Sequence, residues 1–146
     1  MKYLVALFSL FFATIAYASD LTVMEPWVPL APPAAKAHAA FVMIHNHSDS
    51  PKTLISVGSD DYKMVHIHQS EEKDGVATMS MVEQIKIPAG GMLAMKPGGL
   101  HIMLMGPKNP VNLGDEIPII LNFEDGTSVD LKALVKKRHA HTQHNH

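Results

Sequence analysis

The chain contains no cysteine among its 146 residues. This absence excludes disulfide scaffolds, thiolate zinc sites, iron–sulfur clusters, cysteine nucleophiles and the Cys-ligated blue-copper centre of electron-transfer proteins. The same chain has 10 Met and 10 His. Thioether and imidazole are therefore the neutral ligand types that remain for soft and borderline metal ions.

The sequence also lacks a large net charge of either sign. Its 12 basic and 14 acidic side chains give a formal charge of −2, so we expect no nucleic-acid partner. A chain of this length that is 47% hydrophobic and 18% charged supports one folded domain. It carries no nucleophile motif such as G-x-S-x-G and no zincin motif, which argues against an enzyme.

The first 18 residues have the pattern of a secretory signal peptide. Lys2 supplies a positive charge, residues 3–15 form an apolar run, and Ala16-Tyr17-Ala18 places small residues at the cleavage positions. The apolar run is shorter than the ~18 residues of a spanning helix, and no cysteine follows it for lipid attachment. We therefore expect cleavage after Ala18 and export without a membrane anchor.

Short segments rich in Val, Ile, Leu and Met, separated by turn formers, occupy residues 21–135 without a sustained helical period. This pattern predicts an all-β sandwich or barrel. The predicted strands are Leu21–Val28, Ala39–Asn46, Thr53–Val57, Lys63–His68, Val76–Val82, Gln84–Ile87, Met92–Met95, His101–Met105, Ile117–Phe123 and Ser128–Val135.

Four residues have the spacing His, ten residues, Met, twenty-one residues, His, one residue, Met: His68, Met79, His101 and Met103. Because side chains two apart lie on one face of a strand, His101 and Met103 should project together. Thioethers bind Cu(I) well and Zn(II), Mg(II) or Ca(II) poorly, and imidazole adds affinity without imposing a geometry. The spacing thus predicts a site for a soft monovalent ion.

Turn positions set which of these residues face each other. A hairpin symmetric about the peptide bond between residues 73 and 74 would place His68 opposite Met79 and His66 opposite Met81. At the later Asp125-Gly126 turn, we expect both residues to have positive φ.

Taken singly, these side chains have simpler explanations. A lone Met on a strand is most often a core gap-filler, and a lone His is most often a surface or hydrogen-bonded residue. A metal-free structural sandwich is therefore an alternative. We assign Met24, Met43, Met92 and Met95 to ordinary packing, and His45 and His47 to a surface loop.

The spacing H-x10-M-x21-H-x-M resembles the signature of the periplasmic PCuAC copper chaperone family, and the resemblance covers about residues 21–135. Other segments that resemble family positions are Glu25-Pro26-Trp27, Ala39-Ala40-Phe41 through Asn46, Asp74-Gly75, Ile87-Pro88-Ala89-Gly90-Gly91, Lys96-Pro97-Gly98-Gly99, Ile102, Leu104-Met105-Gly106 and Phe123-Glu124-Asp125-Gly126.

The resemblance implies a cupredoxin-like Greek-key β-sandwich and a periplasmic location. It implies that His68, Met79, His101 and Met103 ligate Cu(I), which the protein would carry to the dinuclear copper centre of cytochrome c oxidase. The implied partner is an oxidase subunit or a thiol-bearing assembly chaperone, and we expect a monomer. Copper storage or resistance, without dedicated delivery, is the alternative function. His66 departs from the family pattern and is a possible accessory ligand.

A second candidate site lies in the tail, which contains almost nothing to bury. Imidazoles spaced H-x-H-x2-H-x-H can wrap Cu(II) or Zn(II). These are His139, His141, His144 and His146. We expect the tail to gather Cu(II) for the Met-containing site after reduction. The expected organisation is a signal peptide at 1–18, a sandwich domain at 19–137 and a disordered tail at 138–146.

Overall fold

The computed structural model of the chain describes residues 20–138 and is all β in that range, which confirms the predicted class. None of this segment forms a helix that could cross a membrane. The predicted signal peptide and the four tail histidines lie outside the described residues. The strands are β1 Leu21–Pro29, β2 Ala37–Asn46, β3 Lys52–Gly58, β4 Tyr62–Lys73, β5 Val76–Val82, β6 Ile85–Ile87, β7 Met92–Met95, β8 Leu100–Pro107, β9 Glu116–Phe123 and β10 Ser128–Lys136.

The strands pair in the order β5-β4-β8-β2-β1-β10-β9-β3-β6, and β7 pairs with β2. Strand β2 links the two layers, because Ala37–Ala40 pairs with β8 whereas Val42–His45 pairs with β7. The β1 and β10 strands are parallel where they pair, and the other pairings are antiparallel. This is the predicted cupredoxin-like β-sandwich.

One core joins both layers. Ile102 and Leu104 of β8 are fully buried in the same cluster as Leu54 of β3 and Leu121 of β9. Burying an aliphatic side chain of this size contributes about 1.5–3 kcal/mol. Along β10 the buried positions alternate with exposed ones, as expected for strands that have one face on the core.

The two hairpin turns differ from their predicted geometry. Asp74 and Gly75 both have positive φ, of 53° and 77°, so they form a two-residue turn with Lys73 paired to Val76. In the β9–β10 hairpin only Gly126 has positive φ, and Phe123 donates its N–H to the carbonyl of Thr127. That loop therefore has three residues, with glycine at the left-handed position.

Asn46, at the end of β2, is a fully buried polar side chain that ties three segments together. Its Nδ2 donates to the carbonyls of Ser50 at 2.8 Å and Pro88 at 3.0 Å. Its Oδ1 accepts from the backbone N–H of Ser48 at 3.1 Å and from the Ser48 hydroxyl at 2.7 Å. The amide thus supplies the partners that these loop groups cannot obtain from a sheet ladder.

Replacing Asn46 by Ala should lower the free energy of unfolding by about 2–3 kcal/mol, since it removes several buried or part-buried hydrogen bonds and empties the space of a fully buried side chain. Urea unfolding followed by circular dichroism measures the change. The control is Asn122→Ala, which removes hydrogen bonds to the Ser56 and Ser128 hydroxyls on the surface and should cost less than about 1 kcal/mol. Equal losses for the two variants would contradict the assigned role of Asn46.

Candidate metal centre

Strand β8 presents His101 and Met103 because of the turn that precedes it. Gly98 has φ of 80°, and the Gly99 N–H donates to the carbonyl of Lys96 at 3.1 Å, which closes a tight Pro97-Gly98 turn. From Leu100 onward the strand alternates, so Ile102 points into the core. His101 and Met103 consequently lie together on the opposite side, as the sequence predicts.

Strand β4 lies beside β8 and supplies the second histidine. His68 is the cross-strand partner of His101, and their ring centroids are 6.0 Å apart. His66 is the partner of Met103, and the His66 and His68 rings lie 6.2 Å apart with nearly parallel planes. Because an imidazole nitrogen binds a metal from about 2 Å, the His68 and His101 rings are close enough to hold one ion between them.

Strand β5 completes this surface, but in a different register from the predicted one. Met81 lies opposite His68, and Met79 lies opposite Ser70, so the predicted pairing of His68 with Met79 is wrong by two residues. A shift of two keeps each side chain on its original face. Met79 and Met81 are 51% and 58% exposed. We call this surface the His/Met face: His66, His68, Met79, Met81, His101 and Met103.

The imidazole of His101 is held in one orientation. Its Nδ1 donates to the carbonyl of Gly99 at 3.0 Å, and the same carbonyl accepts the backbone N–H of Ser70. Since a carbonyl can only accept, the proton resides on Nδ1 and the lone pair on Nε2. Such a hydrogen bond is the usual outer-shell device for fixing the tautomer of a metal-binding histidine.

The His68 ring has a buried nitrogen with an unmet bonding capacity. Its Nδ1 is inaccessible to solvent and has no hydrogen-bond partner, the one such side-chain atom within residues 20–138. Burial lowers the pKa of His68 below its usual value, and repulsion from His101 and His66 lowers it further. The imidazole is therefore neutral near pH 7 and has a lone pair to donate.

Aromatic rings border the His/Met face beyond His101. The Phe41 ring centroid lies 6.4 Å from that of His101, and Trp27 lies 5.1 Å from Phe41. The ammonium of Lys136 lies over the indole of Trp27, 5.0 Å from the ring centroid. This cation–π contact covers the outer side of the aromatic pair.

The donors on this face suit a particular class of ion. In the part of the chain that the structure describes, no group of three or more His, Cys, Asp or Glu side chains is arranged to hold a metal. A metal bound by His68 and His101 would thus take its remaining protein ligands from thioethers. Thioether with neutral imidazole favours Cu(I) over the hard divalent cations.

The remaining predicted residues lie elsewhere. The tail histidines fall outside the described segment, so their role as ligands stays a prediction. His45 lies within β2 rather than in the expected loop, and His47 directly follows that strand. Sequence reasoning missed that Met81 faces His68. The signal that could have revealed it is Asp74-Gly75, a dipeptide typical of a two-residue hairpin turn.

The sequence matches known proteins over the whole of this sandwich. Residues 21–135 match the model of the LpqE-like family. The chain is 32% identical over 120 residues to "Putative lipoprotein Lxx21020" of Leifsonia xyli subsp. xyli, a stretch that covers 82% of this chain and 71% of that protein.

Solved structures with the same fold include two that are described as copper-bound forms. The copper-bound PCuAC domain from PmoF2 superposes with a TM-score of 0.68 at 23% identity, covering 84% of this chain and 97% of that domain. The solution structure of CuI-DR1885 from Deinococcus radiodurans gives 0.63 at 31% identity, covering 81% and 77%. The chain therefore belongs to the LpqE-like family and is of the PCuAC type, as the resemblance in its sequence predicts.

Proposed function

We propose that this protein is a copper chaperone that binds Cu(I) through His68, Met79, His101 and Met103. The observation that carries the proposal is the cross-strand pair His68 and His101. One ring has a buried nitrogen without a partner, and the other has Nδ1 occupied by a carbonyl. Both imidazoles are therefore prepared to donate a lone pair on a face that also carries exposed thioethers.

The ligand chemistry and the relatives support copper as the cargo. Two neutral imidazoles and two thioethers add no charge, so the bound site would carry only the charge of the ion, which favours a monovalent metal. The similar PmoF2 domain is described as copper-bound, and DR1885 is described with Cu(I).

The partial exposure of the site supports a carrier rather than an enzyme or a storage protein. Met79 is half exposed on the edge strand β5, whereas His101 is 5% exposed. An incoming thiolate or imidazole of a partner can thus displace the thioether first while the histidines still hold the ion. Such stepwise ligand exchange would let a tighter-binding acceptor remove the copper without unfolding the sandwich.

We further propose a periplasmic location and an acceptor, the dinuclear copper centre of cytochrome c oxidase, reached through an oxidase subunit or a thiol-bearing assembly chaperone. The pattern of residues 1–18 supports export, as does the word lipoprotein in the description of the Leifsonia relative. Exported compartments are oxidising, where cysteine ligands would form disulfides and methionine ligands would not.

Replacing the buried histidine should abolish tight Cu(I) binding. His101→Ala is expected to weaken Cu(I) binding on the order of 100-fold or more, because outer-shell changes alone cost 10–100-fold at metal sites. Anaerobic competition against a chromophoric Cu(I) chelator measures the affinity and the stoichiometry. A Cu(I) affinity and stoichiometry that stay unchanged in the protein carrying both His101→Ala and Met103→Ala would contradict this ligand set.

The two methionines of β5 form a matched pair for the same titration. They share a strand, a face and similar exposure, and Met→Leu conserves volume. Met79→Leu should weaken Cu(I) binding at least ~10-fold, because it removes one of four proposed ligands, and Met81→Leu should change it less than ~3-fold. The reverse result would transfer the ligand role to Met81, the residue opposite His68.

Delivery and buffering predict different phenotypes for a strain without this protein. Delivery predicts low cytochrome c oxidase activity that added copper restores, because the oxidase can then be loaded without a carrier. Buffering predicts growth that is sensitive to copper, with normal oxidase activity. Oxidase turnover and growth across a copper series distinguish the two, and the second pattern would contradict the delivery function. Complementation with a His101→Ala gene is the control that links the phenotype to the site.

The tail is proposed as a Cu(II) site, from which the sandwich would take copper once an external one-electron reductant has converted Cu(II) to Cu(I). Removing residues 138–146 should lower the number of Cu(II) ions bound and leave Cu(I) affinity within ~3-fold, since imidazole suits Cu(II) and the thioether site does not depend on the tail. Equilibrium dialysis with Cu(II) provides the count. An unchanged Cu(II) count would contradict the role of the tail.

A further inference from the structure

A second group of sulfur and imidazole side chains lies on the outer surface where β1, β2 and β7 pair. We call it the β2–β7 cluster: Met24, Met43, His45, His47 and Met92. Met43 and His45 alternate with the buried residues Val42, Ile44 and Asn46, so they point away from the core. On sequence alone, Met24, Met43 and Met92 are assigned to packing. Of the two methionines in β7, however, only Met95 is buried, and Met92 is 54% exposed.

Strand register brings the cluster together. His45 is the cross-strand partner of Met92 on β7, and Met43 is the partner of Met24 on β1. His47 continues the same side two residues after His45, because its N–H donates to the carbonyl of Asp20 and extends the ladder. The His45 and His47 ring centroids are 3.9 Å apart. Two imidazoles and a facing thioether therefore occupy one patch.

Hydrogen bonds direct the two rings. The Nε2 of His45 lies 3.3 Å from the carbonyl of Gly90, and since a carbonyl accepts, the lone pair of that ring is on Nδ1. The Nε2 of His47 lies 2.9 Å from the Thr22 hydroxyl. In both residues Nε2 is occupied and Nδ1 is the nitrogen nearer the backbone. With the Thr22 hydroxyl accepting from Nε2 of His47, both rings have the arrangement that outer-shell groups give to metal-binding histidines.

The cluster is separate from the His/Met face. Phe41 shares the outer side of β2 with His45 but lies four residues earlier, which is about 13 Å along a strand at ~3.3 Å per residue. Phe41 packs on His101 and Trp27, so an aromatic pair stands between the two groups. None of the proposed chaperone ligands belongs to the β2–β7 cluster.

We propose that the β2–β7 cluster is a second Cu(I) site, with His45, His47 and Met92 as ligands and Met43 as a fourth donor within reach. Its donors are the same neutral imidazole and thioether types that favour Cu(I), and no carboxylate is needed. The sandwich would then hold two Cu(I) ions on one side of the molecule, independently of whether the first is delivered to any acceptor.

The test is an anaerobic Cu(I) titration of the full chain, labelled with carbon-13 at the methionine methyl groups and followed by NMR. The background variant carries His101→Ala and Met103→Ala, and the unsubstituted protein is titrated in parallel. We expect the Met92 and Met43 methyl signals to shift and saturate at one equivalent in the background variant, whereas the buried Met95 signal stays in place. Adding His45→Gln and His47→Gln should weaken this binding at least ~10-fold.

The matched control is His66→Gln in the same background, which removes one surface imidazole and leaves the cluster intact, so the Met92 response should persist. Met92 and Met43 signals that do not move at four equivalents of Cu(I), in either protein, would overturn the second site. Failure of the chaperone proposal has a separate signature, the absence of a Met79 and Met103 response in the unsubstituted protein. Copper bound by the tail leaves both sets of methionine signals unchanged.

Discussion

The antiparallel pairing of β4 with both β5 and β8 is the constraint on which the candidate site depends. It makes His68 the neighbour of His101 on one side and of Met81 on the other. Since side chains alternate with a period of two, a slip of one residue would turn the histidines of β4 toward the core. Ile67, which occupies the core between His66 and His68, opposes such a slip because its burial would be lost.

Turn chemistry enforces that register. Asp74 and Gly75 both adopt positive φ, the conformation in which a two-residue turn matches the twist of its strands. At the other end of the His/Met face, β8 begins after the Pro97-Gly98 turn. The Gly99 carbonyl there accepts hydrogen bonds from the Ser70 N–H and from Nδ1 of His101. The backbone that ends one loop therefore also orients a candidate ligand. The same few atoms set the position of the His101 ring and its tautomer.

Alternation and turn formers in the sequence were enough to predict every strand, since the hydrophobic segments are short and most are flanked by Gly, Pro or Asp. The predicted turn geometries were wrong for two reasons: the β4–β5 hairpin is centred on Asp74-Gly75, one residue later than the predicted centre, and in the β9–β10 hairpin the Asp-Gly dipeptide alone does not set the loop length. The β4–β5 strands close directly on Asp74-Gly75, whereas the β9–β10 hairpin includes Glu124 as a third loop residue. The turn dipeptide thus specifies the register of the first hairpin, whereas the loop length of the second depends on how its strands fit the core.

Methionine was the residue whose placement sequence could least predict. Its side chain is apolar, so Met95 in the core and Met92 on the surface of the same strand look equivalent in a hydrophobicity pattern. Alternation along β7 puts them on opposite sides, but only the packed structure shows that Met95 is the one that faces the core. An exposed methionine is more informative than a buried one, because a thioether in solvent gives up the stabilisation that burial would provide. Where several such thioethers lie beside histidines on one side of a sheet, as on both His-bearing patches here, we propose that ligand chemistry explains their exposure. In a chain without cysteine, methionine is also the one residue type that can offer sulfur to a metal. Because thioethers do not pair into disulfides, they can stay exposed, and hence open to ligand exchange, in an oxidising compartment.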